Sequence, residues 1–344
     1  MGVKIFDLLP RKEINIKNLN EKVIAIDSYM YLYQFLATIR LPDGSLLTNG
    51  EGKITSHLNG LFFRTTKMMS YGIRPAFIFD GVAPKLKHEE RERRKKIKEK
   101  ALQEYKEAYK REDIENMKKY ASRTSKLTPE MVDDAKELVS AMGLPIIQAP
   151  SEGEAQAAHL VKSGHAYGLA TNDGDALLFG TPKLLKNLST SQRKKVTSTR
   201  AYTQVKPEMF ILSDVLNTLK IDQEQLIALG LLIGTDFNVG GIKGIGPAKG
   251  LKLIKQYEND FDSLFKDAGW DNHFSYPWTE AFYTIKKMPV TDDYSVKFGE
   301  FNVSKTRELL LEKCGFSENR IEPVLSRFEV SQEQKEQKGL SQFF

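Results

Sequence analysis

The sequence predicts an α/β fold built on a mostly parallel central sheet flanked by helices. Three observations carry that expectation. Val23-Ile24-Ala25-Ile26 and Ala76-Phe77-Ile78-Phe79 are unbroken apolar runs of strand length, the kind that a parallel sheet buries on both faces. Residues 55–71, between them, repeat their apolar positions with helical period. The alternation then continues, because Ile146-Ile147 and Tyr167-Gly168-Leu169-Ala170-Thr171 read as strands on either side of a helix that starts near Ser151.

The other elements follow the same logic. Residues 85–126 are dense in charge, contain no glycine or proline, and are expected to be helical. Thr128-Pro129 supplies an N-cap and a first helical turn, and Gly143 with Pro145 closes that helix. Helical patterns dominate from about residue 208 to 330. Residues 331–339 are polar and are expected to lack fixed structure. No repeat of 20–50 residues is present.

Composition excludes several classes of protein. With 344 residues, 40% of them hydrophobic, the chain can build a sizeable core. No apolar run approaches the ~20 residues of a membrane span. Met1-Gly2-Val3-Lys4-Ile5-Phe6 holds no signal-peptide core, and Phe6 stands where myristoylation needs a hydroxyl. The single cysteine, Cys314, excludes an internal disulfide and a cysteine zinc site, and it fits a reducing compartment. The net charge is +6, and residues 85–126 alone hold 16 Lys/Arg against 9 Asp/Glu. The basic character therefore resides in one segment.

Acids recur just beyond the buried runs: Asp27, Asp80, and the pair in Asp173-Gly174-Asp175. In open parallel sheets, sites form outside the carboxyl ends of the strands, so these acids would converge. Ser151-Glu152-Gly153-Glu154 adds two at a helix start, and Asp236 follows the apolar helix Leu226 to Ile233. Seven carboxylates share a cleft only if cations or protons neutralise them. All-oxygen donors favour Mg²⁺ or Mn²⁺, and two such ions about 4 Å apart are a known device for phosphodiester cleavage. Each acid taken alone also fits a plainer role, as a loop or cap residue. Ser151-x-x-Glu154 matches a capping box, and Glu152 and Glu154 share a site only if it lies at the helix's first turn.

Gly241-Ile242-Lys243-Gly244-Ile245-Gly246-Pro247-Ala248-Lys249-Gly250 reads as a helix-hairpin-helix turn or its longer two-turn relative. Its glycines permit a tight backbone whose N–H groups can hold a phosphate, while Ile242 and Ile245 anchor the turn in the core. Nothing in it reads bases, so binding would be independent of sequence and sensitive to salt. The basic segment fits an ordinary solvated helix, or one that steers a single strand toward the acids. Tyr33 fits a core position or a base-stacking one. Two terminal aromatics, Phe343 and Phe344, after a polar stretch suggest an anchor for a partner.

Taken together, these residues resemble the flap endonucleases of the XPG-type 5′ nuclease family, especially archaeal ones, from Met1 to Phe344. The resemblance rests on Met1-Gly2-Val3, Ile26-Asp27-Ser28, Phe79-Asp80-Gly81, Pro150-Ser151-Glu152-Gly153-Glu154-Ala155, Thr171-Asn172-Asp173-Gly174-Asp175, and Gly234-Thr235-Asp236 leading into Gly244-Ile245-Gly246-Pro247. It implies a 5′-nuclease (PIN-like) sheet with a helical arch. The N-terminal nuclease region would span residues 1–98, the rest of the arch 99–127, and the internal region with the helix-hairpin-helix 128–258. A C-terminal helical region, 259–330, would precede a flexible tail, 331–344.

The resemblance also implies roles. Asp27, Asp80, Glu152 and Glu154 would serve one Mg²⁺, and Asp173, Asp175 and Asp236 a second, with Mn²⁺ a possible substitute. Lys87 and Arg94, at the foot of the arch, would contact the scissile phosphate, with the arginine alignment within Arg91-Glu92-Arg93-Arg94 open by one position. Tyr33 would stack on a base, and Gly2 would lie near the active site. The turn carrying Gly241, Lys243, Gly244, Gly246 and Lys249 would grip duplex DNA, with K⁺ as an associated ion. Gln337, Leu340, Phe343 and Phe344 fit the box that binds the sliding clamp, PCNA.

The implied activity is hydrolysis at the base of 5′ flaps during replication and repair, one nucleotide into the duplex, with some 5′ exonuclease activity. The chain lacks the basic tail that eukaryotic members carry beyond the clamp box, which favours an archaeal source and leaves no tail for nuclear import; a cytoplasmic, nucleoid-associated monomer is expected. Two alternatives are a related 5′-3′ exonuclease or bubble endonuclease, and a clamp-bound DNA scaffold without catalysis. No Walker-type nucleotide motif is present.

Overall fold

The protein is described by a computed structural model that covers residues 3–188, 193–195 and 202–340, without side-chain detail at 193–195, 202–204 and 331–340. Gly2, Phe343 and Phe344 thus lie outside the described residues, and Gln337 and Leu340 are placed by their backbone alone.

The first strands are β1 (Lys12–Glu13) and β2 (Val23–Asp27), and α1 (Ser28–Thr38) begins on the residue after β2. Next come α2 (Ser56–Ser70) and β3 (Arg74–Phe79), whose last five residues are buried. The charged segment forms α3 (His88–Lys110) and α4 (Ile114–Ala121). α5 (Pro129–Ala141) starts as its sequence predicts, with Thr128 accepting from the N–H of Met131 and Pro129 in the first turn. β4 (Ile146–Gln148), α6 (Gly153–Lys162), β5 (Gly168–Ala170) and α7 (Asp175–Leu178) follow.

Beyond them lie β6 (Lys183–Lys186), β7 (Arg193–Lys195), β8 (Tyr202–Gln204) and β9 (Glu208–Ile211). The α-helices that follow are α8 (Leu212–Leu219), α9 (Gln223–Ile233), α10 (Pro247–Tyr257), α11 (Phe261–Asp267), α12 (Trp278–Lys286), α13 (Val303–Arg307) and α14 (Glu318–Leu340).

The main sheet has the order β1-β9-β6-β5-β2-β3-β4. β2 runs parallel to β3 and β5, and β5 parallel to β6, while β9 is antiparallel to both β6 and β1. The sheet is therefore parallel at its centre, as predicted, with an antiparallel edge. Asp27 pairs with Ile78, so Asp80 emerges just past the same end of the sheet. Ile24, Ala25, Ile26, Phe77, Ile78 and Leu169 are all at most 1% exposed, which explains their unbroken apolar runs.

Two expectations need correction. Residues 208–211 form a strand rather than helix, because pairing with β6 outweighs local propensity in so short a segment. Residues 331–340 are helical rather than unstructured, since they are mostly Gln, Glu and Lys, good helix formers that extend a helix already nucleated at Glu318.

The chain divides into two compact units, neither continuous in sequence. The first contains Met1–Tyr31, Tyr71–Ile97 and Ile147–Tyr294, and so holds the central strands and α6 to α12. The second contains Leu32–Ser70, Lys98–Ile146 and Ser295–Phe344. Among the described residues no helix is long and apolar enough to cross a membrane.

In the second unit, His57 in the first turn of α2 is completely buried, and neither ring nitrogen makes a well-aligned hydrogen bond. Burial pushes its pKa down to about 4, against the opposing effects of Asp134 and the Met131 backbone. The folded state thus holds His57 neutral, while the unfolded chain takes up a proton near pH 6.5. Its contribution to stability is intact above that pH and is lost as pH falls toward 4. Urea unfolding at pH 7 and pH 5 should show a loss that shrinks by roughly 2 kcal/mol in His57→Leu. Identical losses in both proteins would place the burden elsewhere.

Candidate active site

The seven acids belong to the first unit, and each is set by an element of known origin. Asp27 is the last residue of β2 and accepts from the N–H of Met30 at 3.0 Å, in the first turn of α1. Asp80 follows β3 and accepts from the N–H of Gly153 at 2.8 Å, at the start of α6. A β-carbon at Gly153 would sit 2.5 Å from that carboxylate oxygen, so only glycine admits this approach. Glu152 is the N-cap residue of α6 and Glu154 lies in its first turn. Both therefore project from the one part of the helix where they can share a site.

The predicted capping box does not form. The helix starts at Gly153, and Ser151 Oγ instead donates to the carbonyl of Val82 at 2.8 Å. Glu154 is thereby left for other contacts, and it accepts from Thr171 Oγ1 at 3.1 Å. The same hydroxyl lies 3.4 Å from Asp27 and accepts from the N–H of Asp173 at 3.1 Å. Asp175 opens α7 and accepts from the N–H of Val3 at 2.8 Å.

These carboxylates repel one another. Burial, then Asp80 and Asp173, pushes Asp27 up to about 7. Burial and Glu152 push Asp80 up to about 6, although the Gly153 N–H works against them. Burial, Asp173 and Asp236 push Asp175 up to about 8, and Glu154 is raised well above the carboxylate range by burial, Asp173, Asp27 and Asp175. The interactions run across both groups of acids, so all seven form one electrostatic cluster.

Two cations from the 85–126 segment face it. Lys87 pairs with Glu152 and lies 3.7 Å from Asp236. Burial disfavours its charge, but Glu152 and Asp236 outweigh that and raise its pKa. Arg94 Nη2 donates to Asp236 at 2.7 Å, while its Nε donates to buried Glu90 at 2.6 Å. Arg93 spends its guanidinium on both carboxylate oxygens of Glu90, so Arg94 is the arginine of that run that hydrogen-bonds the cluster among the described contacts. Sequence reading missed Glu90 and Thr171. The i, i+4 spacing of Glu90 and Arg94 was the available signal for the first.

The donor set fits hard cations, being oxygen throughout and short of positive charge. Among the described residues, no three acidic or histidine side chains stand ready-made around a single metal position. Lys87 and Arg94 occupy carboxylate oxygens of Glu152 and Asp236.

The glycine turn lies in the same unit and joins α9 to α10. Ile242 and Ile245 are buried, as predicted. Gly241 has φ +60°, and a β-carbon there would fall 2.3 Å from the Ile233 carbonyl, so the turn closes only with glycine. Gly246 caps α10 and Pro247 takes its first turn. The Lys243 N–H donates to His273 Nε2 at 3.2 Å, and Lys249 Nζ reaches the Gly244 carbonyl at 3.4 Å. In the second unit Tyr33 is 38% exposed, with Lys98 Nζ 5.0 Å from its ring centroid, so it is not a core aromatic.

Similarity to known proteins places the chain among the XPG-type nucleases. Residues 1–101 match the XPG N-terminal domain and residues 143–236 the XPG I-region. Flap endonuclease 1 of Thermococcus onnurineus is 43% identical over 348 residues, spanning 100% of this chain and 99% of that protein. The structure of flap endonuclease-1 from Methanococcus jannaschii aligns with a TM-score of 0.74 at 37% identity, over 95% of this chain and 98% of that one. The catalytic core of Rad2 in complex with DNA, 24% identical, shares the fold with a TM-score of 0.70 over 95% of this chain and 100% of that one. This chain belongs to the flap endonuclease 1 family.

Repulsion within the cluster should be measurable. Asp175→Asn is expected to stabilise the protein in EDTA at pH 7.5 by on the order of 1–3 kcal/mol, read as a higher urea midpoint. An unchanged or lower midpoint would show that the cluster stores no such repulsion.

Proposed function

We propose that this protein hydrolyses a phosphodiester at the base of 5′ flaps, leaving a 5′-phosphate on the downstream strand, in DNA replication and repair. Full-length similarity to flap endonuclease 1 supports this reading, and the observation that carries it is the seven-acid cluster with Lys87 and Arg94 against it. A 5′-3′ exonuclease activity on the same site belongs to the proposal.

Asp27, Asp80, Glu152 and Glu154 would hold one Mg²⁺, and Asp173, Asp175 and Asp236 a second, with Mn²⁺ able to substitute. Such ions, when bound, lower the pKa of the attacking water and neutralise charge on the scissile phosphate. The chain's own residues do the positioning. Backbone N–H groups of Met30, Gly153 and Val3 orient Asp27, Asp80 and Asp175. Lys87 and Arg94 can exchange carboxylate oxygens for phosphate oxygens as the backbone enters, and Glu90 holds Arg94 in place for that exchange. The turn from Gly241 to Gly250 would hold duplex phosphates and the associated K⁺, with Lys243 and Lys249 adding charge. Tyr33 would stack on a base, and Gly2 would approach the site beside Val3. As a partner we propose a sliding clamp, bound through Gln337, Leu340, Phe343 and Phe344.

End-labelled double-flap DNA should be cut at the junction with Mg²⁺ and left intact with EDTA, with single-stranded and blunt duplex controls largely spared. Lys87→Ala should slow single-turnover cleavage about a hundredfold while altering DNA affinity less than about threefold. Tight DNA binding without any cutting would instead indicate a scaffold. Equal losses of rate and affinity in Lys87→Ala would reduce that lysine to a binding contact.

Removal of residues 337–344 should abolish binding to a PCNA-type clamp and leave cleavage of free flaps intact. Lost basal cleavage would mean that the tail serves the catalytic body.

A further inference from the structure

Lys87 has a neighbour that the carboxylates do not account for. Its ammonium stands over the ring of Phe237, 5.2 Å from the centroid, in addition to pairing with Glu152 and lying near Asp236. Phe237 is 1% exposed. Its ring meets Phe179 edge-on, with centroids 6.4 Å apart at 90°. Its backbone is held at both polar groups, the N–H donating to Thr235 Oγ1 at 3.0 Å and the carbonyl accepting from the Tyr276 hydroxyl at 2.8 Å. The ring is thus fixed on a rigid support.

An aliphatic residue would satisfy burial equally well. What an aromatic face adds is its negative quadrupole, which attracts an ammonium without engaging a particular N–H. That distinction matters for a lysine that must pass its hydrogen bonds from carboxylate to phosphate. A carboxylate partner competes for those donors, whereas a ring face holds the charge and leaves the donors free.

We propose that Phe237 is a positioning residue for Lys87, seating its ammonium beside the acid cluster while its N–H groups exchange Glu152 and Asp236 for the scissile phosphate. This rests on the role proposed above for Lys87. The test is a double-mutant cycle in the full chain, reading single-turnover cleavage of double-flap DNA and, separately, affinity for that DNA. Phe237→Leu should slow cleavage about tenfold and change affinity less than about twofold. Phe237→Tyr, which keeps the ring face, should stay within about twofold of the parent. In a Lys87→Ala background, Phe237→Leu should cost nothing further.

A full tenfold loss in that background would overturn the proposal, since Phe237 would then act on something other than Lys87, such as the neighbouring Asp236. A parental rate in Phe237→Leu, with Lys87→Ala impaired, would sink the seat alone. A parental rate in Lys87→Ala would remove the role of Lys87 and the seat together. Should Phe237→Leu melt at assay temperature, Phe237→Met, flexible and without a ring face, takes its place in the same cycle.

Discussion

Mutual repulsion among seven carboxylates is the constraint around which the first unit is built. Three parallel strands deliver acids to one end of the sheet, and burial then raises the cost of their charge. Coulomb repulsion and desolvation act in the same direction there, which is why Asp27, Asp80 and Asp175 all shift upward. Such a cluster persists only because the surrounding structure over-determines each side chain. The Met30, Gly153 and Val3 N–H groups each tie one carboxylate, and Thr171 links three members of the set through a single hydroxyl. The stability given up here is supplied by the strands beneath, whose apolar residues are almost completely buried.

The two cations are held by a different principle. Lys87 and Arg94 come from the most basic segment of the chain, yet neither is simply a solvated charge. Arg94 is braced by buried Glu90, and Lys87 by the Phe237 ring, so each has a support outside the seven acids. A cation with its own support can change partners without being lost to solvent. That is what the proposed exchange, from carboxylates in one state to a phosphate in the next, would require.

Asp236 ties these parts to the glycine turn. It leaves the end of α9, pairs with Arg94, and precedes by five residues the Gly241 at which the chain reverses toward α10. A DNA contact at the turn and chemistry at the acids would therefore be fixed in register by one short, closely packed connection. In such an arrangement the distance from duplex contact to cleavage point is a property of the backbone rather than of base sequence.

Much of this was legible in the sequence because the relevant signals are local. Unbroken apolar runs marked β2 and β3, their terminal acids marked members of the carboxylate cluster, Thr128-Pro129 marked the start of α5, and the spacing of glycines and isoleucines marked the turn. The sequence by itself determined which residues are acids at strand ends and where the basic segment lies, because those follow from period and composition. Only the tertiary structure decided the rest. β9 is a strand because β6 offers it a partner, and Ser151 turns to the Val82 carbonyl while the first N–H of α6 goes to Asp80. The choice of Arg94 over Arg93 depends on Arg93 taking both oxygens of Glu90 while Arg94 keeps one nitrogen for Asp236. Such choices turn on hydrogen bonds and contacts between residues far apart in the chain or competing for one partner, and no local pattern encodes them.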